Sequence, residues 1–432
     1  MTQFQRILIL LFTMTLAFAQ DPEALLELGE SQLLSGDIIG AEKSLKDAVQ
    51  ADPSFAPAIQ TLSKLYLHKG DLKKANEFSN QAVQADEDFR EWAIQIGKIT
   101  EHIQNGNRNV QQGLYEEAII EYDAILKAHP YFPDGEFYKG LTRFRQKDIE
   151  GAARHFSNAL KIYPLHPKAR KGLDNVTKQF LNKGNKSYKR GNLAKAKDYY
   201  YKALEFDTEF YLAYFQLGVL EKKQGNSKKA IELLQKVLEI KPEHDKTWFT
   251  LGTAYESDGN TTEAVNHYLQ AIEFNQGYSK AYGNLGKLYT ESKDYKLAED
   301  VLKTVIQIDP NYADGFMRLG FLYIELEKYD LAVENLAIST SLDDEDYNKY
   351  FNLASAYNHL KKWNEAATAA QSCVDLKRKF GGGWLELGIA ELGKRNRTRA
   401  KKHFQQAKND RNWREMAERK IDEINNPEKY EK

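Results

Sequence analysis

The chain has 432 residues, 42% of them hydrophobic, and a formal net charge of −1 at pH 7. This balance excludes an electrostatic attraction of the whole molecule to nucleic acid or acidic lipid. A single cysteine, Cys373, excludes an internal disulfide framework and a cysteine-based zinc cluster. As ordinary globular folds, a chain of this length would form two or three domains.

Residues 1–19 predict a secretory signal peptide. Arg6 precedes an apolar run, and Ala17 and Ala19 supply the small-x-small pattern that signal peptidase requires. We expect cleavage after Ala19; the alternative is an uncleaved anchor helix, for which the apolar run is short. No later stretch approaches a membrane span, so the mature protein is expected to be exported and not to span a membrane. A bacterial periplasm is the predicted location, with a eukaryotic secretory compartment as the alternative.

The remainder of the chain repeats one pattern every 34 residues. The stretch LGTAYESDGNTTEAVNHYLQAIEF (251–274) is followed 34 residues later by LGKLYTESKDYKLAEDVLKTVIQI. With Asp245 as place 1 of a repeat, Gly252 holds place 8, Ala264 place 20 and Ala271 place 27. Small residues return at these places along the chain, which indicates two helices whose backbones approach closely. Glycine near place 15 predicts the end of the first helix, and proline near place 32 predicts the end of the second.

This pattern resembles the tetratricopeptide repeat family. We count eleven repeats over residues 22–414, and the resemblance implies an all-α superhelix of helix-turn-helix repeats. Within each repeat the apolar residues follow the helical period, which agrees with that implication. A charged amphipathic segment after the last repeat predicts a capping helix, since an array must cover its final apolar edge.

The 34-residue frame slips twice, at residues 90–98 and 167–176. Both inserts continue a helical apolar pattern, so we interpret each as a lengthened first helix. The predicted organisation is therefore a signal peptide (1–19), repeats 1–2 (20–89), a lengthened helix with repeats 3–4 (90–166), a lengthened helix with repeats 5–11 (167–414), and a capping helix and tail (415–432). Each insert predicts a bend between sub-arrays; the alternative is a neutral insertion.

No catalytic motif is present, and no histidines are spaced as metal ligands. Cys373 falls at place 27, where a small buried residue is expected, and His267 and Tyr268 are expected to serve the core or the surface of a second helix. We therefore predict that the protein is not an enzyme and needs no cofactor or metal.

The resemblance implies that protein partners bind in a concave groove lined by the first helices. Place 5 faces this groove in the family, and here it is mostly apolar. The predicted groove residues are Phe215, Phe249, Met317, Phe321, Phe351 and Leu385. An exposed apolar stripe favours a partner site; the alternative is that these side chains support neighbouring repeats.

Chaperone-binding members of the family hold a terminal carboxylate with lysine, asparagine and arginine at set places. Asn284 and Arg318 match two of those places. Phe249, Thr253 and Asp314 stand where the other groups are needed, so this mode of binding is not expected.

Charge is segregated along the chain: residues 392–420 are basic, and so is the segment 168–202. Its predicted basic patch consists of Lys178, Lys183, Lys186, Lys189 and Arg190. Such a patch favours a complementary partner, although solvated helix faces are the simpler explanation. Nucleic acid is not an expected partner outside the cytoplasm.

These observations predict a non-enzymatic scaffold in the cell envelope that binds segments of partner proteins. Two alternatives stay open. One is a binder of anionic glycan or cell-wall polymer that uses the basic patch. The other is a regulatory subunit of a secreted enzyme complex.

Overall fold

The computed structural model describes residues 21–430, and within that range every regular element is a helix. The predicted signal peptide lies outside the described residues. The contacts divide the chain into two compact units, with the division between Leu217 and Gly218. The first ten α-helices belong to unit 1 and are α1 (Pro22–Ser35), α2 (Ile38–Ala51), α3 (Ala56–His68), α4 (Leu72–Ala85), α5 (Arg90–Gln112), α6 (Tyr115–Ala128), α7 (Pro133–Arg145), α8 (Ile149–Ile162), α9 (Pro167–Lys189) and α10 (Leu193–Phe206).

The boundary between the units falls within α11 (Tyr211–Lys223). The helices of unit 2 are α12 (Ser227–Ile240), α13 (Asp245–Ser257), α14 (Thr261–Phe274), α15 (Ser279–Glu291), α16 (Tyr295–Ile308), α17 (Ala313–Glu325), α18 (Tyr329–Leu342), α19 (Tyr347–His359), α20 (Trp363–Leu376), α21 (Gly381–Gly393), α22 (Arg397–Ala407) and α23 (Arg414–Asn425). Short 3-10 turns occur at Glu87–Phe89 and Pro427–Lys429.

Helices pair in chain order, with each odd-numbered helix packed on the even-numbered helix that follows it. Residues 21–430 thus contain eleven helix pairs, and α23 packs on α22 after the last of them. The predicted all-α array of eleven repeats with a capping helix is therefore confirmed. We call the odd-numbered helices of the pairs first helices and the even-numbered ones second helices. Among the described residues, no helix is both long and apolar enough to cross a bilayer.

Alanine at place 20 lies where the two helices of a repeat meet. This alanine is fully buried in all eleven repeats. The residues are Ala41, Ala75, Ala118, Ala152, Ala196, Ala230, Ala264, Ala298, Ala332, Ala366 and Ala400. A larger side chain at this place would separate the helices, because protein interiors are closely packed. This explains why the sequence repeats the residue.

Glycine at place 8 of a first helix faces a large side chain at place 24 of the second. A Cβ atom on Gly106 would lie 2.5 Å from Tyr122 Cε1, and one on Gly252 would lie 2.5 Å from Tyr268 Cε1. The same close approach occurs in seven further repeats, at Gly29–Leu45, Gly140–Phe156, Gly184–Tyr200, Gly218–Leu234, Gly286–Leu302, Gly320–Leu336 and Gly388–Phe404. In each pair, the large side chain at place 24 therefore occupies the space that the glycine at place 8 leaves free.

The two repeats without glycine at place 8 compensate at place 24. Repeat 2 has Ser63 and Ser79, and repeat 10 has Ala354 and Ala370; all four residues are buried. When place 8 carries a side chain, place 24 is small. The combined volume at the two places is thus kept within limits throughout the array.

Every first helix is followed at place 15 by a residue with positive φ. Six of these residues are the predicted glycines, Gly36, Gly70, Gly113, Gly191, Gly225 and Gly259. The other five are Lys147, Lys293, Glu327, Lys361 and Arg395, with φ between 57° and 65°. An L-residue with a side chain is strained in this conformation, whereas glycine is not.

This difference predicts opposite effects for two matched substitutions at place 15. Lys293→Gly should raise the free energy of unfolding by about 0.5–1 kcal/mol, because it relieves the strain at φ 65°. Gly259→Ala should lower it by about 1 kcal/mol, because φ is 82° there. Urea unfolding of both variants would measure the effects, and a change of the same sign in the two would contradict the explanation.

The two sequence inserts lie in α5 and α9, which have 23 residues each where the other first helices have 13 or 14. Apolar residues of these longer helices are buried, including Ile96 and Ile99 in α5 and Leu173 and Val176 in α9. The inserts therefore extend the helices. The division into sub-arrays of two, two and seven repeats, with a bend at each insert, stays a prediction.

Candidate partner-binding sites

Unit 2 contains a pocket between its first helices α15, α17 and α19. Its volume is about 190 Å³. The lining residues are Lys287, Thr290, Glu291, Met317, Arg318, Phe321 and Asn352. We call it the Arg318 pocket. Two of the predicted groove residues, Met317 and Phe321, share it, and Phe321 is 41% exposed. It thus combines accessible apolar surface with charged and amide groups.

The polar side of the Arg318 pocket is held by a network of hydrogen bonds. Lys287 Nζ donates to Glu256 Oε1 at 2.7 Å, and Tyr268 Oη donates to Glu256 Oε2 at 2.7 Å. Asn284 Nδ2 donates to Tyr268 Oη at 3.2 Å. Burial would raise the pKa of Glu256, but the hydrogen bonds from Lys287 and Tyr268 outweigh it and leave that pKa below its ordinary value. Glu256 therefore stays ionised and keeps Lys287 in place.

Arg318 has one long contact with this network, and its guanidinium also interacts with the hydroxyl of Tyr312. Its Nη2 lies 3.4 Å from Asn284 Oδ1, and its Nε is buried without a hydrogen-bond partner. Within residues 21–430 no carboxylate lies at ion-pair distance from Arg318, whereas Lys287 has both Glu256 and Glu291. A guanidinium with unused donors beside an apolar surface can bind a carboxylate or an amide oxygen.

The other predicted groove residues lie elsewhere in the packing. Phe249 is half-buried, with its ring 5.7 Å from that of Tyr268 and 4.9 Å from that of Tyr278. Phe351 is half-buried between the rings of Phe380 and Trp413. Both rings therefore contact other aromatic side chains, and whether they also contact a partner stays a prediction.

Leu385 is only 1% exposed and belongs to the core cluster that joins α21, α22 and α23. It offers no surface to a partner. Phe215 is half-buried in α11. The apolar stripe expected along place 5 is thus divided, and only Met317 combines with Phe321 in a pocket.

The partial match to the carboxylate-binding places has a structural counterpart. Asn284 and Arg318 contact each other, as their places imply. Asp314, which stands where a lysine is needed, lies 3.5 Å from the buried amino group of Lys349. The Arg318 pocket therefore differs from the family's complete clamp in charge and in composition.

Unit 1 contains a wider cleft of about 680 Å³ at the end of α9. The lining residues are Asn182, Asn185, Lys186, Tyr188, Lys189, Arg190 and Gln216. We call it the basic cleft. It brings together three residues of the predicted basic patch, Lys186, Lys189 and Arg190. Lys178 and Lys183 are exposed but do not line it, and Lys183 Nζ lies 5.9 Å from the centre of the Tyr199 ring.

The residues considered for chemistry occupy structural positions. Cys373 is fully buried, and burial raises the pKa of its thiol to about 12. His267 bonds through Nδ1 to the backbone oxygen of Glu263 and packs against Trp248 and Tyr255. In the part of the chain that the structure describes, no three His, Cys, Asp or Glu side chains are grouped as metal ligands.

Sequence reasoning missed Lys287, Thr290, Glu291 and Asn352 as pocket residues. Their places in the repeat would have indicated them. Lys287 holds place 9 of repeat 8, and Asn352 holds place 6 of repeat 10, the place that Arg318 holds in repeat 9. Polar residues at places 6 and 9 of successive repeats would have indicated the pocket.

Two family models match the chain. Residues 136–313 match the model described as the C-terminal ARM domain of tetratricopeptide repeat protein 21, and residues 32–95 match a model described as tetratricopeptide repeat. Among curated proteins, the DnaJ homolog subfamily C member 3 of Gallus gallus is 24% identical over 107 residues. That match covers 24% of this chain and 21% of the relative, so the chain spans about a fifth of that protein.

Solved structures with a similar fold include two chains that are matched over nearly their whole length. A tetratricopeptide repeat protein from Parabacteroides merdae has 17% identity and a TM-score of 0.45, over 58% of this chain and 99% of the other. The Cut9–Hcn1 hetero-tetramer of the APC/C has 12% identity and a TM-score of 0.48, over 95% of this chain and 98% of the other. These likenesses concern the fold alone.

Proposed function

Because this chain belongs to the tetratricopeptide repeat proteins, we propose that it is an exported scaffold without catalytic activity that binds a segment of a partner protein through the first helices of unit 2. Proteins of this family are typically non-catalytic scaffolds. The organisation of this chain agrees with that role, since its buried side chains pack the helices of the repeats against one another.

The Arg318 pocket is the observation that carries the proposal. Phe321 and Met317 offer apolar surface, and Arg318 offers donors that no carboxylate of the described residues occupies. Arginine and aromatic side chains at the centre of a concave site are the groups that contribute most to protein binding. A partner segment with an apolar side chain next to an acidic one would satisfy both features.

The absence of catalytic activity is supported by the state of the reactive groups. Cys373 is buried with a strongly raised thiol pKa, so it would not supply a thiolate at neutral pH. His166 accepts from the backbone N–H of Ala169 through Nδ1 and bonds Asp134 through Nε2 at 2.8 Å, both inside the core. Cys373 and His166 are thus both buried, and each occupies a structural position in the core.

The proposed location in a periplasm or cell envelope rests on residues 1–19, which lie outside the described residues. Sequencing the amino terminus of the protein purified from its own host tests it. A mature chain that begins at Gln20 is expected. A chain that retains residues 1–19 would contradict cleavage and with it this part of the proposal.

Photo-crosslinking in the native host tests the partner site. A photoreactive residue in place of Phe321 should give a discrete protein adduct, because that side chain is exposed at the pocket. A probe at Lys296, exposed on the second helix α16, serves as the control and should give none. Adducts of equal yield at both positions, or no adduct at Phe321, would contradict the Arg318 pocket as the site.

A substitution then checks the role of the charge in the same assay. Arg318→Gln should reduce the yield of the Phe321 adduct by about tenfold, since it removes the donors that would hold an acidic side chain. Arg154→Gln, at an exposed residue of α8, should leave the yield unchanged.

A further inference from the structure

The basic cleft of unit 1 has a lining charge of one sign. Lys186, Lys189 and Arg190 contribute three cations, and no acidic residue is among the residues that line it. In the described part of the chain none of the three has a carboxylate at ion-pair distance. An uncompensated group of like charges repels itself, so a bound anion would stabilise it.

Three neighbouring cations of the same segment, in contrast to those of the cleft, are paired with carboxylates. Lys168 lies 3.4 Å from Asp134, Arg170 lies 3.9 Å from Asp207, and Lys202 lies 3.2 Å from Glu150. These contacts engage three carboxylates of unit 1 with cations outside the cleft. Other lysines of the segment, such as Lys171 and Lys195, also have no ion pair in the described residues, but Lys186, Lys189 and Arg190 are the ones that line a common cleft.

Neutral amides complete the lining of the basic cleft. Asn185 Oδ1 accepts a hydrogen bond from the hydroxyl of Tyr200 at 2.8 Å, and Tyr200 is fully buried. This contact fixes the asparagine and leaves its NH₂ group as the remaining donor. Asn182 and Gln216 add two more amides, and Gln216 comes from the following first helix, α11. Amides of this kind bond readily to a peptide backbone.

Stabilisation of the end of α9 explains only part of this arrangement. Lysine in the last turn of a helix interacts favourably with the helix dipole, and Lys186 and Lys189 occupy that turn. The same effect extends to Arg190 at the C-cap, but it does not account for Gln216 on another helix or for the absence of acids from the lining. A binding role accounts for all of them.

The surroundings of the cleft favour a peptide over a polymeric anion. Single-stranded nucleic acid is bound on exposed aromatic rings, and here Tyr200 is fully buried and Tyr188 half-buried. A long polyanion would require a continuous basic track, but Lys178 and Lys183 lie outside the cleft. The cations instead lie within one helical turn, which suits two neighbouring carboxylates.

We propose that the basic cleft binds an acidic segment of a partner protein, with its carboxylates on Lys186, Lys189 and Arg190 and its backbone on the amides of Asn182, Asn185 and Gln216. The inference rests on the proposed scaffold function and adds a second site, in unit 1, with a stated ligand chemistry. It does not depend on the Arg318 pocket, which lies in unit 2.

Fluorescence anisotropy with the purified mature chain tests the proposal. The probe is a short labelled peptide of alternating glutamate and glycine with a free carboxyl terminus. The cleft variant carries Lys186→Gln, Lys189→Gln and Arg190→Gln. The matched control carries Lys127→Gln, Arg154→Gln and Lys161→Gln, which remove the same charge from exposed residues of second helices in the same unit.

We expect the acidic peptide to bind the native chain and the control variant within about twofold of each other, and the cleft variant about tenfold more weakly. A glutamine peptide of the same length should not bind. Higher salt should weaken binding of the acidic peptide, because the contacts are exposed.

Three results would overturn the proposal. The first is no binding of the acidic peptide to the native chain. The second is an equal loss in both variants, which would indicate diffuse attraction. The third is cleft-dependent binding of dextran sulfate at a concentration where the peptide does not bind, which would favour an anionic glycan. None of these results affects the Phe321 crosslink, so failure of this site and failure of the scaffold function are distinguishable.

Discussion

Replacing Gly106 with alanine should lower the free energy of unfolding by about 2 kcal/mol. The new Cβ would lie 2.5 Å from Tyr122 Cε1 and 2.6 Å from its Cζ, closer than carbon atoms approach. Tyr122 is 1% exposed and stacked on Tyr138, so its ring has little room to move away. The clash therefore outweighs the gain of about 1 kcal/mol that alanine normally gives a helix over glycine.

The same helix supplies the control for this substitution. Gly97 also lies within α5, but a Cβ atom there would meet no atom within 4 Å. Gly97→Ala should raise the free energy of unfolding by up to about 1 kcal/mol through helix propensity alone. Urea unfolding followed by circular dichroism would measure both. Equal effects of the two substitutions would show that the place-8 pairs are not tightly packed.

Replacing Glu386 with glutamine should stabilise the protein at pH 8 by about 3 kcal/mol and have little effect at pH 4. Glu386 is 7% exposed, and its burial raises the pKa of the carboxyl to about 7, despite hydrogen bonds from Asn358 and Ser355 that favour the ionised form. Asn358 Nδ2 donates to Glu386 Oε2 at 2.7 Å. Asn358 Oδ1 is buried without a partner, and a glutamine NH₂ group could supply one.

The direction of the effect follows from proton binding. The folded pKa of Glu386 lies above the unfolded value of 4.5, so the folded state binds more protons between the two values. The stability that this group contributes is complete below about pH 4.5 and is lost as the pH rises to about 7. Glutamine does not titrate and avoids this loss.

Calorimetric melting at pH 4, 6 and 8 would measure the difference between Glu386→Gln and the native chain. Glu391→Gln is the matched control on α21, since Glu391 is also buried but lies 2.5 Å from Lys394. Its substitution should destabilise the protein at pH 8, because it leaves Lys394 without its partner. A stabilisation by Glu386→Gln that does not depend on pH would contradict the assignment to ionisation.

The repeat architecture was predictable because it is written into every 34-residue period. Alanine at place 20 predicts a buried helix contact, and glycine at place 15 predicts a positive φ at the end of the first helix. The structure has both features. Lys293 and the four other positive-φ residues were not predictable from residue type, since nothing in a lysine or glutamate indicates that conformation. The tight turn between the two helices of the repeat requires it, as the bonds from Lys293 N to Thr290 O and from Asp294 N to Tyr289 O show.

The candidate sites were predictable only in part, for a related reason. Exposure at place 5 depends on what the following segment places against it. Phe351 is covered by Phe380 and Trp413. Leu385 is covered by side chains of α22 and α23. Met317, the place-5 residue of repeat 9, is instead only half-buried and lines the Arg318 pocket together with Phe321 at place 9. The basic residues of 168–202 predicted a patch, but only the folded chain shows which of them have acidic neighbours.

The place-8 pairs bear on how such a chain can change its length. Both members of each pair lie in one repeat, 16 residues apart, as in Gly252 and Tyr268. Loss or duplication of 34 consecutive residues therefore keeps a place-8 residue opposite a place-24 residue in every repeat. This holds wherever in the repeat the change begins. A change that begins or ends between the two members of a pair without restoring the period would set a large side chain against the wrong helix position. The number of repeats is consequently free to vary in whole steps, while the interior of each repeat is not.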